Sequence, residues 1–389
     1  MANTLKFGNG EWYGKKDTIL AYNDENNNYK PLPFDFSRAS SATRVNKDGL
    51  IETVGSGEPR IDYKDDSKGA LLLEPSRSNS LVQSNQFDTN WIGSSTSVLS
   101  GYLGLDGTNS AWLLTKTANI SANIRQNITF SGIHTFSVYL KKGTNTSAIL
   151  RSTGGNDARV EINLIDGTTS GAVNTTSVLT ESMGNDWWRC SMTLNASSNT
   201  AVRIYPEAPL GGTTAGNIYM QYAQLEQGSY ATSYIPTQGS AVTRLADFAE
   251  QDLPNDNILI DNNSTIYFEV DTTDLINNTP NTGGFNFKNS GGTSQLNFNY
   301  GYGRIYSNYY TGSTTAIIPS AEVGRYKIAF PLTNGSYLYV NGVQKSATSR
   351  DWSSISISEI EILFGHSIID FKLYNTILSN SELQALTSN

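Results

Sequence analysis

The residues best suited to chemistry lie in one short stretch, 297–310, where tyrosine and asparagine side chains crowd around an arginine. The candidate ligand-binding residues are Tyr300, Tyr302, Arg304, Tyr306, Asn308, Tyr309 and Tyr310, with Asn299 beside them. Flat aromatic faces pack against the C–H groups of a sugar ring, and amide or guanidinium groups hydrogen-bond its hydroxyls. The stretch therefore predicts a glycan-binding surface. The alternative is that these rings form cross-strand pairs that only stabilise a sheet.

A second aromatic candidate is the adjacent pair Trp187 and Trp188. Successive residues of a strand point to opposite faces of the sheet, so one of the two should be buried and the other exposed. An exposed tryptophan ring would offer a further stacking surface for a sugar.

Catalysis requires more than the sequence specifies. Hydrolysis of a glycosidic bond needs two carboxylates about 5 to 9.5 Å apart, and no motif selects a pair among the 35 acidic residues. Five acidic residues lie in predicted strands, and each is as easily a solvated surface residue as a catalytic one: Glu161, Glu226, Glu269, Glu359 and Glu361. His134 and His366 are not accompanied by a Gly-x-Ser-x-Gly nucleophile motif. We therefore predict no catalytic residues and no enzyme, with a hydrolase left open.

The overall charge disfavours one class of partner. Lysine and arginine total 27 against 35 aspartate and glutamate residues, a formal net charge of −8, which gives no general cationic field for nucleic acid. The residues after Met1 lack the apolar core of a signal peptide, and no run of about 18 apolar residues occurs. We expect a chain made in a cytoplasm, without a signal peptide and without membrane insertion. The single Cys190 predicts no intrachain disulfide.

Short alternating runs predict the elements that position these side chains. Apolar residues recur at every second position in runs separated by Gly, Asn and Ser, which is typical of antiparallel strands with one packed face. Such runs occupy 135–141, 160–164, 266–270, 326–330 and 338–340. The pair Asn341-Gly342 predicts a tight hairpin turn, and Ser379 with Glu382 predicts a capping box for a short C-terminal helix. The expected fold class is all-β, with sheets packed on sheets.

Lapses in the alternation divide the chain. One lapse covers the first 80 or so residues and another begins near Ile235. We predict an N-terminal connector module at 1–80, a middle domain at 81–240, a linker at 241–254 and a C-terminal domain at 255–389.

The N-terminal segment resembles a module found in bacteriophage tail-fibre and other virion structural proteins. The resemblance rests on the order and spacing of residues 36–45 (FSRASSATRV), 49–52 (GLIE), 59–63 (PRIDY) and 71–79 (LLLEPSRSN). It implies attachment to other virion proteins. Four arginines alternate along it with three acidic residues: Arg38, Arg44, Arg60 and Arg77 with Glu52, Asp62 and Glu74. This pattern predicts guanidinium–carboxylate pairs, with ordinary surface charges as the alternative.

The middle domain resembles the jelly rolls of carbohydrate-binding modules. The motifs, in order, are 106–108 (DGT), 135–141 (TFSVYLK), 188–191 (WRCS), 224–228 (QLEQG) and 234–237 (YIPT). The resemblance implies a β-sandwich with Trp188 in its core. Trp187 is then the freer tryptophan and the candidate glycan-binding residue of this domain.

The C-terminal domain resembles concanavalin A-like sandwiches of the laminin-G type. The motifs are 338–342 (LYVNG) and 369–376 (IDFKLYNT), followed by Leu378-Ser379 and Glu382-Leu383. Lectin-like sandwiches often hold a structural calcium ion through carboxylate and carbonyl oxygens. The carboxylates considered for such an ion are Asp106, Asp166, Glu226 and Asp370, and the sequence selects none of them, so the metal site is unknown.

Together these resemblances imply a bacteriophage virion protein, of the tail or a fibre, that displays lectin-like domains to host surface polysaccharide. Because phage fibres are usually trimers, the resemblance also implies a homotrimer, in which several copies of a weak site act together. One alternative is a purely structural protein of capsid decoration or tail assembly. A second alternative is a polysaccharide depolymerase.

Overall fold

The computed structural model describes residues 5–22, 31–118, 121–211, 215–252, 260–272, 283–301, 304–309, 314–318, 324–334, 337–345, 352, 355, 357–363 and 366–388. The described secondary structure is almost entirely β, as the alternation predicts. No helix among the described residues has both the length and the apolar character needed to cross a membrane.

The strands of the first eighty residues are short. They are β1 (Leu5–Gly8), β2 (Tyr13–Lys15), β3 (Thr18–Tyr22), β4 (Pro31–Ser37), β5 (Ala42–Val45), β6 (Ile51–Val54), β7 (Ile61–Asp62), β8 (Ala70–Leu73) and β9 (Arg77–Asn79). Two very long strands mark the middle of the chain. Its strands are β10 (Ile92–Ser94), β11 (Thr96–Tyr102), β12 (Ala111–Lys116), β13 (Asn123–Lys142), β14 (Ser147–Thr153), β15 (Ala158–Asn163), β16 (Thr169–Val173), β17 (Ser177–Ser182), β18 (Trp187–Tyr205), β19 (Gly216–Gln227) and β20 (Val242–Arg244).

The C-terminal part ends in one short helix. Its elements are β21 (Phe248–Asp252), β22 (Thr265–Asp271), β23 (Gly283–Lys288), β24 (Ser294–Gly301), β25 (Arg304–Tyr309), β26 (Thr314–Ile318), β27 (Arg325–Pro331), β28 (Tyr339–Val340), β29 (Val343–Gln344), β30 (Glu359–Leu363), β31 (His366–Tyr374) and α1 (Asn380–Thr387). The predicted turn at Asn341-Gly342 joins β28 to β29 with φ of 47° and 75°. The predicted capping box opens α1, with both of its hydrogen bonds present.

The chain forms two compact units. The first unit comprises Met1–Ser41, Val54–Pro75 and Leu245–Asn389, and the second comprises Ala42–Thr53 and Ser76–Arg244. This division differs from the sequence-based one at the N-terminus, because the described strands β1, β4 and β8 pair with strands of the C-terminal part. It also differs at 241–254, where β20 pairs with β9 and β21 pairs with β4 and β30. Strand pairing across long sequence separations produces both differences.

The first unit is a two-layer sandwich. One layer runs β1–β31–β22–β27–β28, and the other runs β4–β21–β30–β23–β24–β25–β26. Between them lies a core rich in phenylalanine, in which Phe268 and Phe371 from one layer meet Phe285 from the other. The N-terminal strands complete this core, since Phe7 of β1 stacks on Phe371 at 5.1 Å.

A buried ion network fixes the N-terminal segment in the first unit. Arg60 donates to Glu74 at 2.6 Å and to Asp247, and Arg38 donates to Asp247 at 2.9 Å. The side chains of Arg38, Arg60 and Asp247 are fully buried. Two of the predicted guanidinium–carboxylate pairs therefore exist, Arg60–Glu74 and Arg44–Glu52. The central acid of the buried network, Asp247, comes from the expected linker.

The second unit is built around the long strands β13 and β18. The sheet order is β11–β12–β19–β13–β18–β14–β15–β16, with β10 on β13 and β17 on β18. Alternating residues of β13 and β15 fill its core, among them Phe136, Val138 and Val160. A second apolar cluster contains Trp187, Tyr222 and Tyr234 together with Val45 and Ile51 of the hairpin β5–β6.

Candidate functional site: a pocket on the outer face of the first unit

The outer face of the β31–β22–β27 layer carries a row of charged residues. Strand register sets Asp370 opposite Glu269, and Glu269 opposite Lys327. Their neighbours in sequence, including Phe268 and Phe371, point into the sandwich core. Alternation along three adjacent strands therefore forces these three charged side chains onto one surface.

Helix α1 covers one end of this face. Leu383 packs there with Tyr267 of β22 and Tyr374 of β31, in a small apolar cluster separate from the main core. The uncovered end is a cavity of about 430 Å³, within the range of roughly 300 to 1,000 Å³ for small-molecule sites. We call it the outer-face pocket. Its lining is Asn9, Asp66, Ser67, Lys68, Tyr267, Glu269, Arg325, Lys327, Ile369, Asp370, Lys372 and Leu386.

Gly8 allows β1 to bring Asn9 into the lining of the outer-face pocket. Gly8 lies opposite Asp370 with φ of 96°, and Asn9 donates its backbone N–H to the carbonyl of Ile369 at 2.7 Å. A Cβ at Gly8 would lie 2.4 Å from that carbonyl oxygen. Only glycine permits this approach, so Gly8 is required to bring Asn9 to the pocket.

Three residues form what we call the pocket floor: Tyr267, Glu269 and Asp370, whose exposed fractions are 2%, 9% and 4%. The Tyr267 hydroxyl donates to Oε2 of Glu269 at 3.4 Å. Lys372 donates to Oδ2 of Asp370, and its Nζ lies 5.0 Å from the centre of the Tyr267 ring. The floor thus combines two carboxyl groups and a phenol hydroxyl, while the Tyr267 ring itself is packed against Leu383 and Lys372.

Burial makes the pocket floor less acidic than free carboxylates. It raises the pKa of Asp370, against the opposing effect of the Lys372 ammonium. It also raises the pKa of Glu269, where Lys327 and Arg325 oppose the shift and Asp370 adds to it. Burial likewise raises the pKa of Tyr267, so its phenol stays protonated and remains a donor. A floor of this kind can both donate hydrogen bonds to hydroxyl groups and accept them.

Basic residues occupy the more accessible edge of the pocket, which we call the rim: Lys68, Arg325 and Lys327. Arg325 pairs with Asp66 at 2.7 Å and approaches Glu269 at 3.8 Å. Lys68 donates to the side-chain oxygen of Asn9 at 2.7 Å, and Lys327 to the carbonyl of Ser388 at 3.0 Å. The pocket therefore has a buried acidic floor under a basic rim.

The tyrosine-rich stretch does not form a single surface. Register places Tyr300 and Tyr309 on the face that carries the buried residues Leu296 and Phe298. The opposite face carries Arg304, Tyr306 and Asn308, across from Gly301, Asn299 and Asn297. Tyr302 and Tyr310 lie outside the described residues. The stretch splits because β24 and β25 are paired strands, so residues close in sequence alternate between faces.

Trp187 is buried, contrary to the expectation that it is the freer tryptophan. Its exposed fraction is 3%, whereas Trp188 is only partly buried against the main core of the second unit. The hairpin β5–β6 supplies Val45 and Ile51 to the cluster that covers Trp187. Trp187 faces away from the main core of the second unit but is enclosed in the second apolar cluster of that unit. Its ring therefore has no free face for a ligand.

The carboxylates considered for calcium are engaged by protein donors. Asp106 accepts from Ser110 and Tyr222, Asp166 from Thr168, and Glu226 from Thr232, while Asp370 accepts from Lys372. Among the described residues, no three His, Cys, Asp or Glu side chains are grouped as a metal site. A structural calcium ion stays a prediction.

Sequence reasoning missed the outer-face pocket as a unit. Glu269 stands among the solvated strand residues and Asp370 among the calcium ligands considered above. The signal available was the charged residue at the outer position of two apolar strands, 266–270 and 368–373. Nothing in the sequence indicates that these strands lie side by side, or that Asn9 and Asp66 join them from the other end of the chain.

No family model matches this chain, and no curated protein matches it. Among solved structures it is similar to Trypanosoma rangeli sialidase, with 11% identity and a TM-score of 0.29, over 95% of this chain and 81% of the sialidase. It is also similar to the N-terminal CBM22-1-CBM22-2 tandem domain of Paenibacillus barcinonensis Xyn10C, with 10% identity and a TM-score of 0.24, over 77% and 98% of the two chains. Similarities this distant do not indicate a function for this chain.

Proposed function

We propose that this chain is a bacteriophage virion protein, of the tail or a fibre, that binds a host-surface glycan through the outer-face pocket. The virion role is supported by the motifs between residues 36 and 79, and the binding role by the pocket. The observation that carries the binding role is the cluster of Tyr267, Glu269 and Asp370 on a cavity floor of saccharide size.

The pocket floor suits a polyhydroxylated ligand. A sugar hydroxyl both donates and accepts, and the floor offers carboxyl groups with raised pKa values beside a phenol that remains protonated. Hydrogen bonds to charged acceptors contribute about 1.5 to 3 kcal/mol each, which allows a few contacts to hold one or two sugar units.

Multiple copies would raise the strength of attachment. Two linked sites can exceed the affinity of one by about 10² to 10⁴ without any new contact. We propose a homotrimer in the particle, with contacts to other virion proteins made from the surfaces of the two units. The described N-terminal strands take part in the first unit's sandwich, so attachment through the N-terminal segment would use the surface of this folded unit.

Binding is tested on a glycan array with the purified full-length chain, displayed multivalently. Asp370→Asn keeps the shape of the side chain and removes its charge, and we expect binding to weaken about tenfold or more. The matched control is Glu361→Gln, in the same unit, where Glu361 pairs with Lys288 at 3.0 Å outside the pocket lining. The control should bind as the wild type does.

A further variant separates the pocket from the tyrosine-rich stretch. Tyr306→Ala alters the face that carries Arg304 and Asn308 and leaves the pocket lining intact. Loss of binding in this variant, with full binding by Asp370→Asn, would move the site to that face. A wild type that binds no glycan would favour the purely structural role in capsid decoration or tail assembly.

One observation favours a second candidate function, hydrolysis of the bound polysaccharide. Glu269 and Asp370 are cross-strand partners, so their Cβ atoms lie about 4.5 to 5.5 Å apart, and both pKa values are raised. Hydrolysis of a glycosidic bond uses two neighbouring carboxyl groups, one as the proton donor and the other as the nucleophile or base. Release of reducing ends from a bound polysaccharide by the wild type, abolished in Glu269→Gln with binding retained, would establish this activity.

A further inference from the structure

We infer that the glycan recognised by the outer-face pocket is acidic, carrying a carboxylate or a phosphate group that binds the basic rim formed by Lys68, Arg325 and Lys327. This inference rests on the proposed glycan-binding function and names the ligand's chemical class.

The charge of the pocket lining differs in sign from that of the chain. The lining contains four basic residues, Lys68, Arg325, Lys327 and Lys372, against the three acidic residues Asp66, Glu269 and Asp370. The formal charge of this lining is therefore +1, whereas the whole chain carries −8. A basic site on an acidic protein concentrates anions at one place on its surface.

The charges are also separated by depth. The acidic residues Glu269 and Asp370 lie on the floor and are at least nine-tenths buried, while Arg325 is exposed at the rim. A ligand entering the pocket meets the exposed Lys68 and Arg325 before the carboxyl groups of the floor. Its hydroxyl-bearing ring can then reach the floor while an anionic substituent remains at the rim.

Both lysines of the rim donate hydrogen bonds to uncharged acceptors. Lys68 donates to the amide oxygen of Asn9, and Lys327 to a backbone carbonyl. Lys327 also lies opposite Glu269, and its charge opposes the rise in the pKa of that carboxyl group. Each lysine can therefore exchange a neutral hydrogen-bond acceptor for a ligand anion. Bonds from an ammonium to a carboxylate or phosphate oxygen are charge-assisted and stronger than those to neutral oxygens.

Arg325 adds a third donor that is already oriented. Its contacts with Asp66 and Glu269 hold the guanidinium beside the pocket, and its side chain is 39% exposed. A guanidinium keeps its charge at every accessible pH and presents several N–H groups in a plane, which suits carboxylate and phosphate oxygens. A neutral glycan would offer these three basic groups only uncharged acceptors, whose hydrogen bonds are weaker than those to a carboxylate or phosphate.

The test uses matched pairs of polysaccharides that share one backbone, of which only one member carries the anionic group. One pair is polygalacturonate and its fully methyl-esterified form, and the other is a phosphorylated mannan and the same mannan after dephosphorylation. We expect the full-length protein to bind at least one acidic member about tenfold more tightly than its neutral partner at low salt. The preference should shrink as ionic strength rises, because salt screens exposed charges. The first pair reports a carboxylate and the second a phosphate.

Lys327→Met should lower the affinity for the acidic member by about three- to tenfold more than the affinity for its neutral partner. Lys345→Met is the control, because Lys345 belongs to the same unit and lies outside the pocket lining. Equal binding to both members of each pair, or an undiminished preference in Lys327→Met, overturns the inference and leaves the proposed function standing. Absence of binding to every glycan, acidic or neutral, overturns both.

Discussion

At the scale of single residues, the most consequential side chain outside the pocket is Asp247. Its Oδ1 accepts from Arg38, and its Oδ2 accepts from Arg60 and from the backbone N–H of Glu74 at 2.8 Å. Burying ions costs several kcal/mol each, and only complete pairing offsets that cost. Through these bonds Asp247 links its own segment to Arg38 and to the segment that contains Arg60 and Glu74.

The first prediction is that Asp247→Asn destabilises the first unit strongly. The amide keeps the size of the side chain but leaves two buried guanidinium groups with insufficient negative charge. We expect a loss of about 3 to 5 kcal/mol in the free energy of unfolding, measured by urea denaturation. Glu52→Gln is the comparison, since Glu52 pairs with Arg44 at 2.8 Å near the surface and should contribute less than about 1 kcal/mol. Similar losses in the two variants would show that the buried network is not the principal ionic support.

The second prediction concerns the pH dependence of the pocket floor. Asp370 and Glu269 have raised pKa values when folded, so the folded state binds protons more readily than the unfolded state. Their contribution to stability is fully present below the unfolded pKa values, about 3.8 for Asp370 and 4.5 for Glu269, and is lost as pH rises through the folded values. Raising the pH across this window therefore lowers the free energy of unfolding, because the two buried carboxyl groups must ionise.

Carboxyl NMR titration tests the coupling between the two groups. The Asp370 charge contributes to the raised pKa of Glu269, so Asp370→Asn should shift the titration of Glu269 to lower pH. Glu361→Gln, outside the pocket lining, should leave the Glu269 titration unchanged. An unaltered Glu269 titration in Asp370→Asn would mean that the two carboxyl groups do not interact.

At the scale of elements, helix α1 determines how much of the outer face remains open. Ser379 at its N-cap accepts from the backbone N–H of Glu382 at 3.4 Å, and the Glu382 carboxylate accepts from the backbone N–H of Ser379 at 2.8 Å. These bonds hold the first turn where Leu383 packs on the sheet. The helix is only eight residues long, so it depends on its cap and its packing more than on intrinsic helix propensity.

The third prediction is that Ser379→Ala loosens α1 and weakens ligand binding at the pocket. Loss of an N-cap side chain costs about 1 kcal/mol. Backbone amides of residues 380–387 should exchange with solvent faster in this variant, as measured by hydrogen exchange. Gln384→Ala, on the exposed side of the same helix, should not accelerate exchange, because alanine is a good helix former. Unchanged exchange in Ser379→Ala would indicate that packing of Leu383 alone holds the helix.

The sequence predicts the elements better than it predicts their partners. Alternation identifies Ile266, Phe268 and Val270 as a packed face, and all three are fully buried. Turn and cap residues locate the Asn341-Gly342 hairpin and the start of α1, because both signals are local. Alternation states which face of a strand packs, but it does not state what covers the other face. For this reason the sequence predicts neither the burial of Trp187 nor the outer-face pocket.

At the scale of the whole molecule, the second unit interrupts the first. The chain leaves the first unit briefly at Ser41, for the hairpin β5–β6, and returns at Val54; it leaves again at Pro75 and returns at Leu245. The backbone N–H of Asp247 donates to the carbonyl of Glu74 at 3.0 Å, so the two ends of this interruption are close together in the first unit. Adjacent ends are the usual condition for inserting one folded unit into another. The first sandwich therefore has its core assembled from both ends of the chain.

The fourth prediction follows from this arrangement. A protein consisting of residues 255–389 alone lacks Phe7, Phe36, Leu71 and Ala249 from the core of the first unit, and it should not unfold cooperatively. A second protein, with residues 1–75 joined to 245–389 by a short Gly-Ser linker, keeps those residues and the walls of the outer-face pocket. We expect it to show a single thermal transition by circular dichroism and to bind the same glycan as the full chain. Cooperative unfolding of residues 255–389 at the same temperature would instead make the N-terminal strands an accessory to a sandwich that is complete without them.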